Sequence, residues 1–260
     1  MTDNSFMPPP GSTAEAAEET DFGFRSVRKE EKKPLVRAVF DSVAGKYDIM
    51  NDVMSLGIHR VWKRIFVTEL GPQPGLSLLD LAGGTGDISF GWLKGGGGAT
   101  VMTDINANML SVGRDRALSQ GLVSDLSFCV VDAENIPLRD MSVDRVSIAF
   151  GLRNCTDKMA VIREARRVLR PGGRFMCLEF SRVQVAALAP IYDAWSFKVL
   201  PAMGNLIAKD RDSYQYLAES IRTFPDQETL ADMFREAGLS HVRYQSLSGG
   251  IAAIHSGWRL

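Results

Sequence analysis

Short runs of apolar residues alternate with helix-like spacings of apolar residues through the middle of this chain. Several of the runs are apolar at consecutive positions, a pattern typical of strands that helices cover on both faces of a parallel sheet. Alternation of such strands with helices predicts a doubly wound α/β fold. The predicted strands span 77–82, 99–104, 126–132, 144–150 and 174–180. The predicted helices lie near 86–94, 106–120 and 157–169.

The regions on either side of this alternating segment carry other patterns. Residues 35–70 space their apolar side chains as helices do, and we expect them to form an N-terminal helical cap. Residues 183–221 are expected to form a helical insertion at the substrate site. A helix at 227–237 precedes two predicted strands at 240–247 and 251–257, and the glycine pair between them indicates a hairpin. We therefore expect the sheet to end in an antiparallel pair.

The first residues predict a tail rather than a folded element. Residues 1–21 contain no Lys or Arg, whereas secretory signals begin with positive charge and transit peptides are rich in arginine. Their proline and acidic residues are typical of a disordered segment. We expect residues 22–260 to form a single domain.

Composition excludes several classes of function. The 30 Lys and Arg against 31 Asp and Glu give a formal charge of −1, whereas proteins that bind nucleic acid through its phosphates usually carry a basic excess. The 3 cysteines are widely spaced, which excludes a disulfide framework and a zinc knuckle and is typical of the reducing cytosol. No apolar run is long enough to span a bilayer, and no cluster of ligating residues indicates a metal. We expect a cytoplasmic protein.

The strongest local signal is a strand that runs into a glycine-rich turn and then into a helix, at Leu79–Asp87. Glycines such as Gly84 let the backbone approach a ligand, and the start of the helix offers free N–H groups. The next strand ends at Asp104, where an acid can accept hydrogen bonds from a ribose diol. A third strand ends at Asp132-Ala133, where a carboxylate can accept from an adenine amino group and an apolar neighbour can cover the ring.

Two classes of cofactor share this arrangement, and the acidic residues distinguish them. A dinucleotide needs a third glycine that this turn lacks, and Asp87 would oppose the charge of its pyrophosphate. S-adenosylmethionine carries a sulfonium and an ammonium group and no phosphate, so Asp80 and Asp87 favour it. Each acid by itself is better explained as a helix cap or a solvated loop residue. Acids of the right type at consecutive strand ends favour the cofactor site.

Several segments resemble the UbiE-type ubiquinone/menaquinone biosynthesis C-methyltransferases, from about residue 22 to the C-terminus. The glycine turn and the region around Pro171 are general to methyltransferases, whereas the other segments are far more specific to this family. Those segments are Phe22–Phe24, Val39–Asp48, Met50–Asp52, His59–Lys63, Phe150–Asn154 and Asp212–Ile221.

The resemblance implies a Rossmann-like fold with a seven-stranded sheet. It also implies methyl transfer from S-adenosylmethionine to a ring carbon of a prenylated benzoquinol or naphthoquinol. The cofactor positions of the family correspond to Thr85, Asp104, Asp132 and Ala133. Many relatives have Asn where this chain has Asp132, so the chain keeps an acceptor there and loses an amide donor. Some relatives have Ser at the position of Ala149, where only backbone or packing contacts are left.

Carbon methylation of a quinol requires an electron-rich ring, and a cation near the ring oxygen favours the phenolate. We expect Arg153, which follows the fourth strand, to stabilise that phenolate, and Asn154 to orient Arg153. Tyr47 is expected to bond to the substrate oxygen or to Arg153, or else to tie the N-terminal helices to the core. His59 is interpreted as a surface or capping residue.

An apolar stripe at 188–207, which includes Trp195 and Met203, is expected to be either core or a groove for the prenyl tail. Such a substrate implies transient peripheral contact with the membrane, and it leaves a homo-oligomer or a quinone-biosynthesis assembly open. Two competing interpretations are a small-molecule O-methyltransferase and a cofactor-binding scaffold with weak catalysis. In O-methylation the substrate loses a hydroxyl proton, whereas in C-methylation it loses a ring hydrogen.

Overall fold

The computed structural model describes residues 18–43, 52, 55, 57–185, 187, 190, 192 and 211–260. Its strands are β1 (Glu19–Phe22), β2 (Arg25–Arg28), β3 (Leu78–Leu81), β4 (Thr100–Asp104), β5 (Leu126–Val130), β6 (Val143–Ala149), β7 (Leu169–Phe180), β8 (Ser240–Leu247) and β9 (Ala252–Arg259). Strands β1 and β2 form a hairpin of their own, and the other seven form one sheet in the order β5-β4-β3-β6-β7-β9-β8.

The pairing of the strands determines where a ligand can bind. Strands β5, β4, β3, β6 and β7 run parallel, whereas β9 is antiparallel to both β7 and β8. This confirms the prediction of a mostly parallel seven-stranded sheet that ends in an antiparallel hairpin. The chain order reverses at β3, which lies between β4 and β6. In open α/β sheets, ligands bind at such a switch point, beyond the carboxyl ends of the strands.

Helices cover both faces of the sheet. They are α1 (Lys29–Val43), α2 (His59–Leu70), α3 (Asp87–Lys94), α4 (Ala107–Ser119), α5 (Lys158–Val168), α6 (Arg211–Thr223) and α7 (Gln227–Glu236). Successive residues of β7 enter different clusters, since Phe175 packs with α5 and α7 whereas Met176 packs with α2 and α3. Burial on both faces explains why the strands read as continuous apolar runs.

The N-terminal hairpin lies partly inside the segment 1–21, for which the sequence predicts a tail, because β1 begins at Glu19. Charged and aromatic contacts anchor it: Asp21 Oδ1 lies 3.3 Å from Lys32 Nζ and 3.2 Å from Lys158 Nζ, and Phe22 stacks on Tyr216. The hairpin is stabilised by these contacts with other elements, so no local apolar periodicity indicates it in the sequence.

The first helix also differs from the prediction. It begins at Lys29, ahead of the helical cap predicted at 35–70, and it continues through Pro34. The predicted insertion at 183–221 lies largely outside the described residues, and its described part includes α6. Among the described residues, no helix is both long and apolar enough to cross a membrane.

Candidate functional site

The turn after β3 brings the backbone close to the switch point of the sheet. Gly84 and Gly86 have φ angles of +56° and +98°, in the left-handed region that favours glycine. A Cβ atom at Gly86 would lie 2.4 Å from Phe90 Cζ, so a side chain there would have to displace the Phe90 ring. The turn therefore depends on glycine for both its conformation and its packing.

Asp104, the last residue of β4, holds this turn. Its Oδ2 accepts a hydrogen bond from Gly84 N at 3.0 Å, and its Oδ1 accepts one from Asn106 N at 2.9 Å. Burial raises the pKa of Asp104 to about 6, although these two backbone donors favour the ionised form. The carboxylate thus lies where a ribose diol would be bound, with its orientation determined by two backbone bonds.

Asp132 and Ala133 follow the end of β5, on the opposite side of the same cleft. Asp132 Oδ1 accepts from Glu134 N at 3.0 Å, and its Oδ2 accepts from Lys33 Nζ at 2.6 Å. Lys33 Nζ also lies 2.9 Å from Glu134 Oε2. Since Lys33 belongs to α1, the N-terminal helix reaches the strand ends and neutralises an acid there.

A cleft opens between the glycine turn, the strand ends and α1. It brings together five of the predicted site residues: Gly84, Asp104, Asp132, Ala133 and Asn154. Much of the remaining lining is apolar and includes Val36, Phe40, Ile105, Met109, Val131 and Phe150.

The lining fits an adenosyl group without phosphate. The N–H of Gly84, which would face a pyrophosphate in a dinucleotide site, donates instead to Asp104. The carboxylate of Asp104 repels phosphate, and both Asp104 and Asp132 can accept hydrogen bonds from hydroxyl and amino groups. The apolar residues between them suit the faces of an aromatic base. These donors, acceptors and charges match S-adenosylmethionine, which carries positive charge and no phosphate.

Thr85 lies on the other side of the turn, where it lines a smaller cavity together with Asp87. The Thr85 carbonyl accepts from Arg116 Nη1 at 3.0 Å. Asp87 is paired with Lys63 at 2.8 Å and with Arg116 at 3.0 Å, and these cations hold its pKa below the usual value despite the opposing effect of burial. Cations from two helices, α2 and α4, therefore neutralise the carboxylate of Asp87 next to the turn.

Asp80, in β3, lies beneath the turn and is almost completely buried. Burial raises its pKa to about 6, against the effect of two hydroxyl donors, Ser89 and Ser147, each of which lies 2.7 Å from it. These bonds tie the start of α3 and strand β6 to β3. Asp80 contributes negative potential to the smaller cavity, which it also lines.

Arg153 is placed differently from what a direct contact with the substrate would require. Its Nη1 donates to Phe150 O at 2.6 Å and to Glu179 Oε2 at 2.9 Å, and its backbone N donates to Glu179 Oε1 at 3.2 Å. The side chain is buried against Phe180 and does not line the cleft formed by the described residues. These contacts hold the turn after β6 in position, and a direct role at the phenolate stays a prediction.

Asn154 faces the cleft from that turn. Its Oδ1 accepts from Tyr216 Oη at 3.0 Å, which leaves the amide N–H groups to be donated elsewhere. The Tyr216 ring stacks on Phe22 at a centroid distance of 4.2 Å, and burial raises the pKa of its hydroxyl. Glu179 and Tyr216 are the partners that the sequence did not identify; Tyr216 lies in one of the resembling segments, but with no role attached.

Three predictions concern residues near the N-terminus or the insertion. Tyr47, Trp195 and Met203 lie outside the described residues. His59 is buried rather than at the surface: its Nε2 lies 3.1 Å from Asp52 Oδ1, and burial lowers its pKa to about 4. The surface interpretation was wrong, because only 3% of His59 is exposed.

Comparison with known proteins identifies relatives over nearly the whole chain. Residues 25–259 match the ubiE/COQ5 methyltransferase family. The ubiquinone/menaquinone biosynthesis C-methyltransferase UbiE of Acidiphilium cryptum is 66% identical over 245 residues, which cover 94% of this chain and 98% of that protein. The protein of the same name from Laribacter hongkongensis is 52% identical over 243 residues, which cover 93% of this chain and 98% of that protein.

Solved structures with the same fold are more distant in sequence. A possible histamine N-methyltransferase from Thermotoga maritima aligns with a TM-score of 0.63 at 18% identity, covering 86% of this chain and all of that one. Phosphoethanolamine N-methyltransferase 2 of Haemonchus contortus, in complex with S-adenosyl-L-methionine, aligns with a TM-score of 0.58 at 13% identity, covering 76% and 52%. These similarities show the class I methyltransferase fold.

Proposed function

The chain belongs to the ubiE/COQ5 methyltransferase family, and from that premise we propose that it methylates a ring carbon of a prenylated benzoquinol or naphthoquinol. The methyl donor is S-adenosylmethionine. The reaction belongs to the biosynthesis of ubiquinone, of menaquinone or of both, in accordance with the names of its relatives. The observation that carries the proposal is the cleft in which Asp104 and Asp132, at neighbouring strand ends, face a largely apolar lining.

When bound, the cofactor supplies an electrophilic methyl group on a positively charged sulfur. Asp104 is the acceptor for the ribose hydroxyls, and Gly84 and Asn106 aim its carboxylate. Asp132 is the acceptor for the adenine amino group, and Ala133 covers the ring. Thr85 supports the turn through its backbone contact with Arg116.

We place the methylation of the quinol ring near Asn154. Ionisation of a ring hydroxyl makes the carbon nucleophilic, and after methyl transfer the ring loses a proton. Asn154 donates its amide N–H to the ring oxygen, since Tyr216 already occupies its Oδ1. Arg153 acts by holding the turn that carries Asn154, through Phe150 and Glu179. Tyr47, expected in the N-terminal helices, is the further candidate donor to the substrate oxygen.

The proposal is tested with purified protein, donor labelled in its methyl group, and the demethylated forms of both quinols. A C-methyltransferase places the label on ring carbon and releases a deuterium introduced at that carbon. Label on oxygen would make the chain an O-methyltransferase, and donor binding without any transfer would favour the scaffold interpretation. Gly86→Val is the inactive control, because its Cβ would lie 2.4 Å from Phe90 Cζ.

The prenyl tail of the substrate also supports peripheral and reversible contact with the cytoplasmic face of the membrane. A tail of this kind remains in the bilayer, so the protein has to reach the ring at the membrane surface. Flotation with liposomes checks this point: recovery of protein in the vesicle fraction is expected to rise when the vesicles contain the long-tailed quinol. Equal recovery with and without quinol would contradict it.

A further inference from the structure

A groove lined by arginines lies between the end of α2 and β8, the last strand of the sheet. Its lining includes Glu69 from α2, Arg174 from β7, Ser256 from β9, and Arg243 and Gln245 from β8. Ser256 is paired with Arg243 in the register of the strands, so their side chains point to the same face of the sheet. This place, called the arginine groove below, thus collects polar side chains from three neighbouring strands.

The arginine groove is separate from the cofactor cleft. The cleft lies at the carboxyl ends of the parallel strands, whereas Arg174 is paired with Arg145, near the beginning of β6. None of the described residues lines both places. A ligand of the arginine groove would therefore be bound apart from the methyl donor.

Arg174 supplies a fixed positive charge to the arginine groove. Only 6% of this residue is exposed, and its Nη1 donates to the backbone carbonyl of Glu69 at 2.7 Å. Its Nε and Nη2 are buried and have no hydrogen-bond partner within the part of the chain that the structure describes. Burial is the main cause that lowers the pKa of Arg174. Because a buried charge without a counter-ion costs free energy, an anion in the groove would stabilise this arrangement.

Two further arginines increase the positive potential. Arg243 is exposed on the edge strand, and the guanidinium of Arg145 lies 5.5 Å from the centre of the Trp258 ring, on which Arg174 also stacks at 5.3 Å. Both neighbours lower the pKa of Arg174, as like charges do. Glu69 is the acid found in the lining, and it offsets one of the three positive charges. The groove keeps an excess of positive charge.

Capping of α2 explains only part of this cluster. Arg174 Nη1 donates to Glu69 O, and Arg145 Nε donates to Leu70 O at 3.3 Å, so two arginines bind the last carbonyl groups of the helix. Capping needs neither the second edge of the Arg174 guanidinium nor Arg243, which lies on the other side of the groove. These remaining donors point to a ligand that carries negative charge.

We propose that the arginine groove binds the phosphate group of a small soluble molecule, either inorganic phosphate or a phosphate monoester. Arg243 and Gln245 donate to it from the edge strand and Ser256 donates from β9, while Arg174 supplies the fixed charge beneath. A phosphate monoester carries a charge of about −1.5 to −2 at pH 7 and three acceptor oxygens, which suits donors from several directions. A carboxylate is matched by the fork of a single arginine and needs no such array.

A phospholipid headgroup offers the same chemistry from a second source. The membrane contact proposed above concerns the cleft, which holds the quinol ring, and the arginine groove lies towards the other ends of the strands. A soluble phosphate is therefore favoured, and the experiment includes vesicles to distinguish the two sources.

The experiment is calorimetric titration of inorganic phosphate and of glycerol 3-phosphate into the full chain at constant ionic strength. Arg243→Gln is expected to fold, because the residue is exposed, and to weaken both ligands about 10- to 100-fold through loss of a charge-assisted hydrogen bond. Glu69→Gln should strengthen both about two- to fivefold, since it removes a like charge. Arg114→Gln is the matched control, at an exposed position of α4, which packs on β4 and β5 at the other end of the sheet.

Two further measurements complete the test. Saturation with S-adenosylhomocysteine should leave the phosphate affinities unchanged, and flotation with phosphatidylglycerol vesicles should recover the wild type and Arg243→Gln equally. Vesicle binding that depends on Arg243, without binding of either soluble phosphate, would overturn the soluble ligand in favour of a lipid headgroup. Absence of phosphate binding, or equal affinities in the wild type and Arg243→Gln, would overturn the site itself. None of these outcomes depends on methyl transfer.

Discussion

Asp104 combines two tasks in one side chain, because it holds the glycine turn and faces the cleft. We expect Asp104→Ala to weaken S-adenosylmethionine binding by one or two charge-assisted hydrogen bonds, each worth roughly 1.5–3 kcal/mol. Calorimetric titration measures the change, with Asp115→Ala, at an exposed position of α4, as the control. Unchanged affinity in a folded variant would remove the ribose assignment.

The ion pair between Arg153 and Glu179 is a second single-residue feature with a measurable consequence. Both residues are almost fully buried, at 2% and 1% exposed. We expect Arg153→Ala to lower the free energy of unfolding by about 3–5 kcal/mol, since Glu179 would be left as an unpaired buried charge. Urea denaturation checks this, and the double variant Arg153→Met with Glu179→Leu should regain part of the loss. A single variant as stable as the wild type would contradict the pairing.

The Arg153→Ala substitution also tests how Arg153 contributes to catalysis. If Arg153 acts through the turn that carries Asn154, the single-turnover rate falls while the affinity for the cofactor stays nearly constant. The expected reduction is about 10²–10³-fold, the range for loss of one preorganised donor. Rapid-quench measurement at a temperature where the variant is folded gives this rate. A parallel loss of cofactor affinity would show that Arg153 supports the whole cleft instead.

At the scale of elements, α1 bridges the two sides of the cleft. Lys33 binds Asp132 on one side, and Asp41 Oδ1 accepts from the side-chain amides of Asn106 at 2.8 Å and Asn108 at 2.9 Å on the other. A ligand enclosed beneath α1 can leave more easily if one of these attachments is lost. The helix therefore influences the rate of exchange without contributing to the chemistry.

We expect Asp41→Ala to raise the dissociation rate of S-adenosylhomocysteine about two- to fivefold, a modest effect because Asp41 is exposed to solvent. Stopped-flow displacement measures this rate. Glu30→Ala, at an exposed position in the same helix, should leave it unchanged. Equal dissociation rates in all three proteins would mean that α1 does not restrain the ligand.

At the scale of the whole molecule, two buried carboxyl groups make stability depend on pH. Burial raises the pKa of Asp80 and that of Asp104 to about 6 each, whereas an aspartate in the unfolded chain has a pKa of about 3.9. Below about pH 4 the two carboxyl groups are protonated in the folded and in the unfolded chain. Above about pH 6 the folded chain has to hold two buried negative charges. The free energy of unfolding contributed by these groups therefore falls as the pH rises from about 4 to about 6.

The expected fall is about 2–3 kcal/mol for each group, which follows from a shift of about two pH units. Urea denaturation between pH 4.5 and 7 gives the slope. Asp80→Asn should flatten it, because the serine hydroxyls around Asp80 can bond to an amide, and Asp115→Asn should not. A slope unaffected by Asp80→Asn would assign the pH dependence to other groups.

The affinity for S-adenosylmethionine depends on pH in the opposite direction, since it rises as the pH rises. Ribose hydroxyls donate to the ionised form of Asp104, so binding lowers the pKa of this group. Affinity for S-adenosylmethionine should therefore be full above about pH 6.5 and decline as the pH falls through about 6. Proton release on binding, measured near pH 6 in buffers of different ionisation enthalpy, checks the linkage.

The sequence by itself determined the sheet, the glycine turn and the position of the cofactor acids. Apolar runs and glycines are local signals, and the carboxyl ends of parallel strands meet at one edge of a sheet. The pattern of strand ends is therefore enough to place Asp104 and Asp132 together. The same reasoning located the C-terminal hairpin, since its glycine pair interrupts two strand-like runs.

Only the tertiary structure decided which charged side chains meet. Lys33 and Asp132 are 99 residues apart, Lys63 reaches Asp87 from another helix, and Arg153 turns from the cleft towards Glu179. Charged residues carry no periodicity that reports their partners, and the direction of a side chain in a tight turn depends on the packing around it. For that reason the acids of the site could be read from the chain, whereas the cations that complete it emerged only when α1 and α2 packed against the strand ends.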